Sequence, residues 1–185
     1  MTDAELGRAL REAAYLEGDF VLRSGRRSRY YLDKYRFETR PDLLGPIGAA
    51  IAHAVTEHEP EATRLAGPEL GAVALAAAAS LAGGLPFLIV RGEAKAYGTA
   101  NRLEGVFAPG ERVCLVEDVV TSGGAALLAI EALRGAGLHV STAICVVDRE
   151  EGGVDELARH GIRLRPLFRA SELLEGAKAP ANPLG

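Results

Sequence analysis

From Arg64 onward the chain alternates short apolar runs with segments of helical period, and this alternation limits the possible folds more than any other feature. Residues 64–66, 87–90, 113–116, 140–147 and 163–168 read as strands, and 72–81, 125–134 and 154–160 as the helices between them. Runs such as Val113-Cys114-Leu115-Val116 show no polar alternation, which suits strands buried on both faces. The expected class is therefore α/β, with a central, mostly parallel sheet flanked by helices. In open sheets of this kind ligands bind beyond the carboxyl ends of the strands. The loops after Ala66, Val90, Val116 and Val147 are accordingly where chemistry is sought.

Upstream, Thr2 and Glu5 form a capping-box pattern, and Leu6, Leu10, Ala13 and Ala14 extend a helical period up to Gly18. Phe20-Val21-Leu22 and Tyr30-Tyr31-Leu32 flank a basic turn and predict a small N-terminal hood over about residues 18–35. Leu43, Leu44, Ile47, Ile51, Ala54 and Val55 then fall on one face of a helix from Pro41 to Glu57, with Pro46 a local interruption. A chain of 185 residues can bury a full core, so residues 1–177 are expected to form a single domain and 178–185, with Pro180 and Pro183, a loose tail. The net charge of -4 argues against a nucleic-acid partner, yet permits a local basic site for an anion. Cys114 and Cys145 lie in apolar runs without metal-ligand spacing and read as core thiols. The acidic N-terminus lacks the apolar core of a signal peptide and no run reaches membrane-span length, so a cytoplasmic protein without a membrane partner is expected.

Val113-Cys114-Leu115-Val116-Glu117-Asp118-Val119-Val120-Thr121-Ser122-Gly123-Gly124 is the most informative stretch. A buried strand runs into two adjacent carboxylates, then into a small hydroxyl-and-glycine turn, then into a helix. Unpaired N–H groups and the positive end of the helix dipole converge on such a turn and favour a phosphate. Glu117 and Asp118 would repel that phosphate at contact, so they suit hydrogen bonds from ribose hydroxyls a short distance away. The spacing fits neither a P-loop, which needs a Lys after its last Gly, nor the dinucleotide fingerprint. The bland alternative is that Thr121 and Ser122 cap a helix beside a solvated acid pair.

Four hydrophobic residues, two acids, two hydrophobic residues and Thr before a small-residue turn resemble the motif by which type I phosphoribosyltransferases bind phosphoribosyl pyrophosphate (PRPP). The resemblance implies that family's fold, with Glu117 and Asp118 on the ribose hydroxyls and Val119, Val120, Thr121, Ser122, Gly123, Gly124 and Ala125 around the 5′-phosphate. It also implies Mg2+ as cofactor, carried by PRPP with no side chain as direct metal ligand.

Between Val90 and Val106 lies a polar stretch rich in glycine and long enough to be functional. Its Arg91-Gly92-Glu93-Ala94-Lys95-Ala96-Tyr97-Gly98 run resembles the catalytic loop of orotate phosphoribosyltransferases. Arg91 and Lys95 would then neutralise departing pyrophosphate, with Tyr97 also at the PRPP, and the loop would act in trans within a homodimer. Gly92 stands where many members have a second Lys, and Tyr97 where many have His.

Asp148-Arg149-Glu150-Glu151-Gly152 resembles the family's Asp-Arg-x-Glu-x-Gly, with the second Gly shifted to Gly152-Gly153. Arg149 would meet the carboxylate of orotate bidentately, with Thr121 beside the base. Arg23 and Tyr31 are carried over more weakly as hood residues over the base, and Tyr30 and Tyr31 remain open between core and ligand. Gly67-Pro68-Glu69-Leu70-Gly71 fits a pyrophosphate loop, with Gly71 where some members have Lys. The resemblance implies transfer of phosphoribosyl from PRPP to N1 of orotate; a phosphoribosyltransferase for another base and a regulatory protein on the same fold are the rival readings.

Overall fold

The apolar runs pair into one sheet. β3 (Arg64–Pro68), β4 (Phe87–Val90), β6 (Val113–Val120), β7 (Thr142–Asp148) and β8 (Arg163–Arg169) are parallel, and the short β5 (Leu103–Glu104) adds to β4 in the antiparallel sense. The order is β5-β4-β3-β6-β7-β8. This is a computed structural model describing residues 1–21, 25, 27–92 and 102–175. Arg23, Lys95, Tyr97 and the tail at 178–185 lie outside those residues.

Strand pleating divides the interior in two. Cys114 and Val116 of β6 and Ile144 and Val146 of β7 face one cluster, built on α1 (Asp3–Ala14), α3 (Pro41–His58) and α4 (Gly71–Gly83) through Leu10, Ile47, Ile51 and Leu75. Leu115, Ala143 and Cys145 face the other, against α5 (Gly124–Gly135) and α6 (Gly153–Arg159) through Ile130, Leu133 and Leu157. Each such side chain, fully buried, contributes about 1.5–3 kcal/mol. Both cysteines are buried, and burial pushes the Cys114 thiol up to about 12, which leaves it inert.

Because β4 lies on one side of β3 and β6 on the other, the chain reverses direction between β3 and β6. Their carboxyl ends flank the crevice where such sheets bind ligands.

The capping box at Thr2 and Glu5 is present, but α1 ends at Ala14 and not at Gly18. Tyr15–Val21 forms β1 and pairs antiparallel with β2 (Arg27–Leu32), from Tyr15 opposite Leu32 to Val21 opposite Arg27. Pairing across this hood ribbon outweighs helical continuation, which had only local contacts to offer. A four-residue helix α2 (Tyr35–Glu38) joins hood to core, and α7 (Ala170–Glu175) follows β8. α3 runs through Pro46. No described helix is long and apolar enough to cross a membrane.

Candidate active site

The sequence placed the acid pair just beyond a strand ending at Val116; β6 instead continues to Val120, opposite Asp148 of β7. The acids are thus held inside the sheet, and both are buried, at 7% and 5% exposure for Glu117 and Asp118. That removes the solvated-end alternative. Successive strand residues point to opposite faces. Asp118 turns toward the start of α4, while Glu117 pairs with Cys145 across to β7.

Two side chains unforeseen from sequence complete this corner. Lys34, just before α2, donates from Nζ to Asp118 Oδ2 at 2.5 Å. Burial pulls its ammonium down, but the hydrogen bond and charge of Asp118 outweigh that and leave it raised. Glu38, at 4% exposure, closes on the same point, with no hydrogen-bond partner at Oε1. Burial, then the Asp118 charge, pushes Glu38 up to about 7; the same causes in the same order push Glu117 up to about 8. A Cβ on Gly71 would overlap Asp118 Oδ2 and come within 2.8 Å of Glu38 Oε1. Glycine here is therefore what lets the two carboxylates approach the start of α4.

After Val120 the chain turns through Thr121 and Ser122, both exposed, to Gly123, whose φ of 86° only glycine adopts readily. Gly123 takes the N-cap position of α5 and no side chain caps the helix, so Thr121 and Ser122 are not its caps. First-turn N–H groups stay available to an anion. The turn is braced from below: a Cβ on Gly153 would come 2.5 Å from Val120 Cγ1 and 2.6 Å from the Thr121 carbonyl oxygen. Gly153→Ala is therefore expected to lower stability by about 1–3 kcal/mol through overpacking and to weaken phosphate binding, which isothermal titration with PRPP would register. An unchanged affinity would show that the brace does not shape the turn.

Arg149 lies on the far side of the crevice, anchored where its N–H donates to the Val120 carbonyl at 2.8 Å. Its side chain is 8% exposed, Nη2 lies 3.2 Å from Glu151 Oε1, and Nε is buried without a hydrogen bond. It is therefore no surface ion pair, and among the described residues its Nε has no acceptor. Its guanidinium sits 5.3 Å over the Tyr30 ring, which stacks on Tyr15 at 5.8 Å. Tyr31 packs on Phe20 with centroids 5.6 Å apart and is 42% exposed. The hood thus brings Tyr30, rather than Tyr31, to Arg149. The shifted glycines of this motif have separate jobs: Gly152 is the left-handed N-cap of α6, and Gly153 the brace.

On the opposite wall, Arg91 follows β4, with its Nη1 3.9 Å from Glu69 Oε2, while Gly92 N–H donates to Glu69 Oε1 at 2.8 Å. Glu69 so ties the loop after β3 to the root of the basic loop. Arg91 Nε has no hydrogen-bond partner. Sequence reasoning gave no role to Lys34 or Glu38, and named Glu69 only within the pyrophosphate loop at 67–71. A cavity of about 620 Å³ between α1, β8 and α7 has neither acid pair nor glycine turn and is not this site.

No family model matches the chain. It is 50% identical over 174 residues to an orotate phosphoribosyltransferase of Methanocella arvoryzae, covering 93% of this chain and 97% of that one. The crystal structure of orotate phosphoribosyltransferase from Aeropyrum pernix superposes with a TM-score of 0.83 at 34% identity, over 95% of this chain and 99% of that chain. The Mycobacterium tuberculosis orotate phosphoribosyltransferase in complex with PRPP superposes with a TM-score of 0.78 at 29% identity, over 92% and 98% respectively.

Proposed function

The chain belongs to the orotate phosphoribosyltransferase family, and we propose that it transfers phosphoribosyl from PRPP to orotate in the crevice beyond the carboxyl ends of β3, β6 and β7. The observation that carries the reading is a buried acid pair leading, within one strand and turn, to a helix N-terminus that no side chain caps. A sugar bearing a phosphate meets both demands, with hydroxyl donors for the carboxylates and an anion for the first turn of α5.

In this proposal Asp118 and Glu117 receive the ribose hydroxyls, and residues Thr121 through Ala125 surround the 5′-phosphate. Arg149, whose Nε has no acceptor among the described residues, receives the carboxylate of orotate beside Tyr30. N1 of orotate, entering deprotonated, bonds to the anomeric carbon as the bond to pyrophosphate breaks, and the electron pair leaves with the pyrophosphate. Configuration inverts through a transition state of oxocarbenium character. Arg91 and Lys95 meet the growing negative charge on the leaving group, and no strong base is required. Mg2+, held by PRPP itself, would screen the diphosphate; the carboxylate oxygens of Glu117 and Asp118, with Glu117 Oε1 unpartnered among the described residues, suit the hydroxyl and water ligands around such a hard cation. The proposal includes a homodimer in which the basic loop serves the partner's site, and a cytoplasmic setting.

Purified protein with PRPP, orotate and magnesium is expected to consume orotate, followed by loss of its absorbance, and to leave other bases untouched. Asp118→Asn is expected to raise KM for PRPP about tenfold, since hydrogen bonds to a charged acceptor contribute about 1.5–3 kcal/mol. An unaltered KM would contradict the ribose assignment.

A further inference from the structure

We propose that Lys34 is a positioning residue of the PRPP site, which holds the Asp118 carboxylate for the ribose and moves its ammonium to Glu38 as the ribose hydroxyls arrive. The inference rests on the ribose role given above to Asp118. Its starting point is an imbalance. Glu38, Glu117 and Asp118 are all buried, and among the described residues their one ion pair is that of Asp118 with Lys34, at 2.5 Å. A carboxylate in such surroundings is retained as an anion only beside a compensating charge. Without Lys34, the buried Asp118 carboxylate would have no cation beside it among the described residues, and nothing to hold it in place for the ribose.

Glu38 is placed to be the second seat. It follows Lys34 by four residues, its N–H donates to the Lys34 carbonyl at 3.1 Å, and side chains at this spacing are neighbours on one helix face. Its Oε1 is buried with no hydrogen bond, and the side-chain-free Gly71 lets that oxygen and Asp118 Oδ2 converge. The side chain of Lys34 is 33% exposed, so it retains room to pivot between the two. When ribose hydroxyls donate to Asp118 they take over the lone pairs that the ammonium occupied. Glu38, one helical turn away and already within reach of the ammonium's charge, then receives the cation without stranding it in a buried place.

The position of Lys34 in the chain adds a consequence. It follows the hood strand β2 by two residues, and Tyr30 of that strand lies under Arg149. One short segment therefore touches both the ribose corner and the residue assigned to orotate, so movement at Lys34 is transmitted to the wall of the second substrate's site.

The test is a steady-state comparison of Lys34→Met, Lys34→Arg, Glu38→Gln, Asp118→Asn and the Lys34→Met/Asp118→Asn double variant, with melting temperatures taken in parallel. Lys34→Met is expected to raise KM for PRPP about tenfold with kcat changed less than about twofold, on the scale of one charge-assisted hydrogen bond. Lys34→Arg restores most of that loss, and Glu38→Gln raises the same KM about threefold. In the Asp118→Asn background, Lys34→Met adds nothing further, because its only route to the sugar is through that carboxylate. If Lys34→Met and Asp118→Asn multiply independently, or if Lys34→Met alters kcat alone, the positioning role is overturned. If Asp118→Asn by itself leaves KM for PRPP unchanged, it is the ribose assignment that fails. Should Lys34→Met not fold, Glu38→Gln decides the matter, since a KM for PRPP identical to wild type in that variant excludes the handover.

Discussion

Replacing Lys95 with alanine is expected to slow turnover about 10²- to 10³-fold, the usual loss when one preorganised charge is removed from a developing anion, while KM for PRPP shifts by less than about threefold. Pyrophosphate gains negative charge as the glycosidic bond lengthens, so a cation beside it interacts more strongly with the transition state than with bound PRPP. In the proposed reading ground-state binding rests elsewhere, on the turn before α5 and on Asp118. The identity of residue 92 sharpens the expectation. Gly92 supplies no cation, and its N–H donates to Glu69 Oε1 at 2.8 Å. Arg91 also lies 3.9 Å from Glu69, so part of its charge is already answered. Turnover unchanged in Lys95→Ala would remove the loop from the mechanism. Mixing that variant with Asp118→Asn at PRPP far below KM, where both are slow, adds a test of the trans arrangement: a mixed dimer would place both lesions in one site and neither in the other, so the rate rises above the mean of the two variants. A rate no higher than that mean would assign the loop to its own subunit's site.

How much of this was legible in the sequence depended on whether a local pattern had a unique physical solution. Val113-Cys114-Leu115-Val116 had one, a strand buried on both faces, and Thr2 with Glu5 had one, a helix start. The turn at Gly123 was legible because glycine supplies a left-handed N-cap that Thr121 and Ser122 cannot. Length and partnership were less legible. The residues after Ala14 continue a helical period, and only the pairing of Tyr15 with Leu32, contributed by a distant part of the chain, makes them a strand. Glu117 and Asp118 read as following the strand because charges seldom lie inside one; the pairing of β6 with β7 as far as Asp148 holds them there. Tyr30 and Tyr31 were indistinguishable until the hood's register turned Tyr30 to Arg149. The roles of Lys34, Glu38 and Glu69 were missed for one reason: a charge acquires a role from what faces it, and Asp118, Gly71 and Arg91 reach them from other elements.

The burial of Glu117 implies a cost to the fold that grows with pH. Its carboxyl is pushed up to about 8, first by burial and then by the Asp118 charge, against an ordinary value of 4.5 in the unfolded chain. Below pH 4.5 both states hold the proton and the fold has its full stability. Between 4.5 and about 8 the unfolded chain releases that proton while the folded protein retains it, so stability falls as pH rises, by up to about 1.4 kcal/mol per unit. Above 8 the folded group ionises too and the loss is complete, on the order of 4 kcal/mol for this residue taken alone. Glu38 adds a similar loss over a narrower window ending near 7. Glu117→Gln removes the larger of the two terms. Its amide meets the same unpartnered surroundings as Glu117 Oε1, which gives a constant offset whose sign is immaterial. What matters is the slope: from pH 5 to pH 9 the variant is expected to gain on the wild type by on the order of 4 kcal/mol, measured by urea unfolding at each pH. A difference that stays level across this range would mean that Glu117 is already ionised in the fold. The same substitution is expected to weaken PRPP binding above about pH 8, where the wild-type group proposed for the ribose is an ionised acceptor and the amide is not. A variant that is more stable at high pH yet binds its sugar worse is what results when a buried acid is kept for its ligand at the expense of the fold.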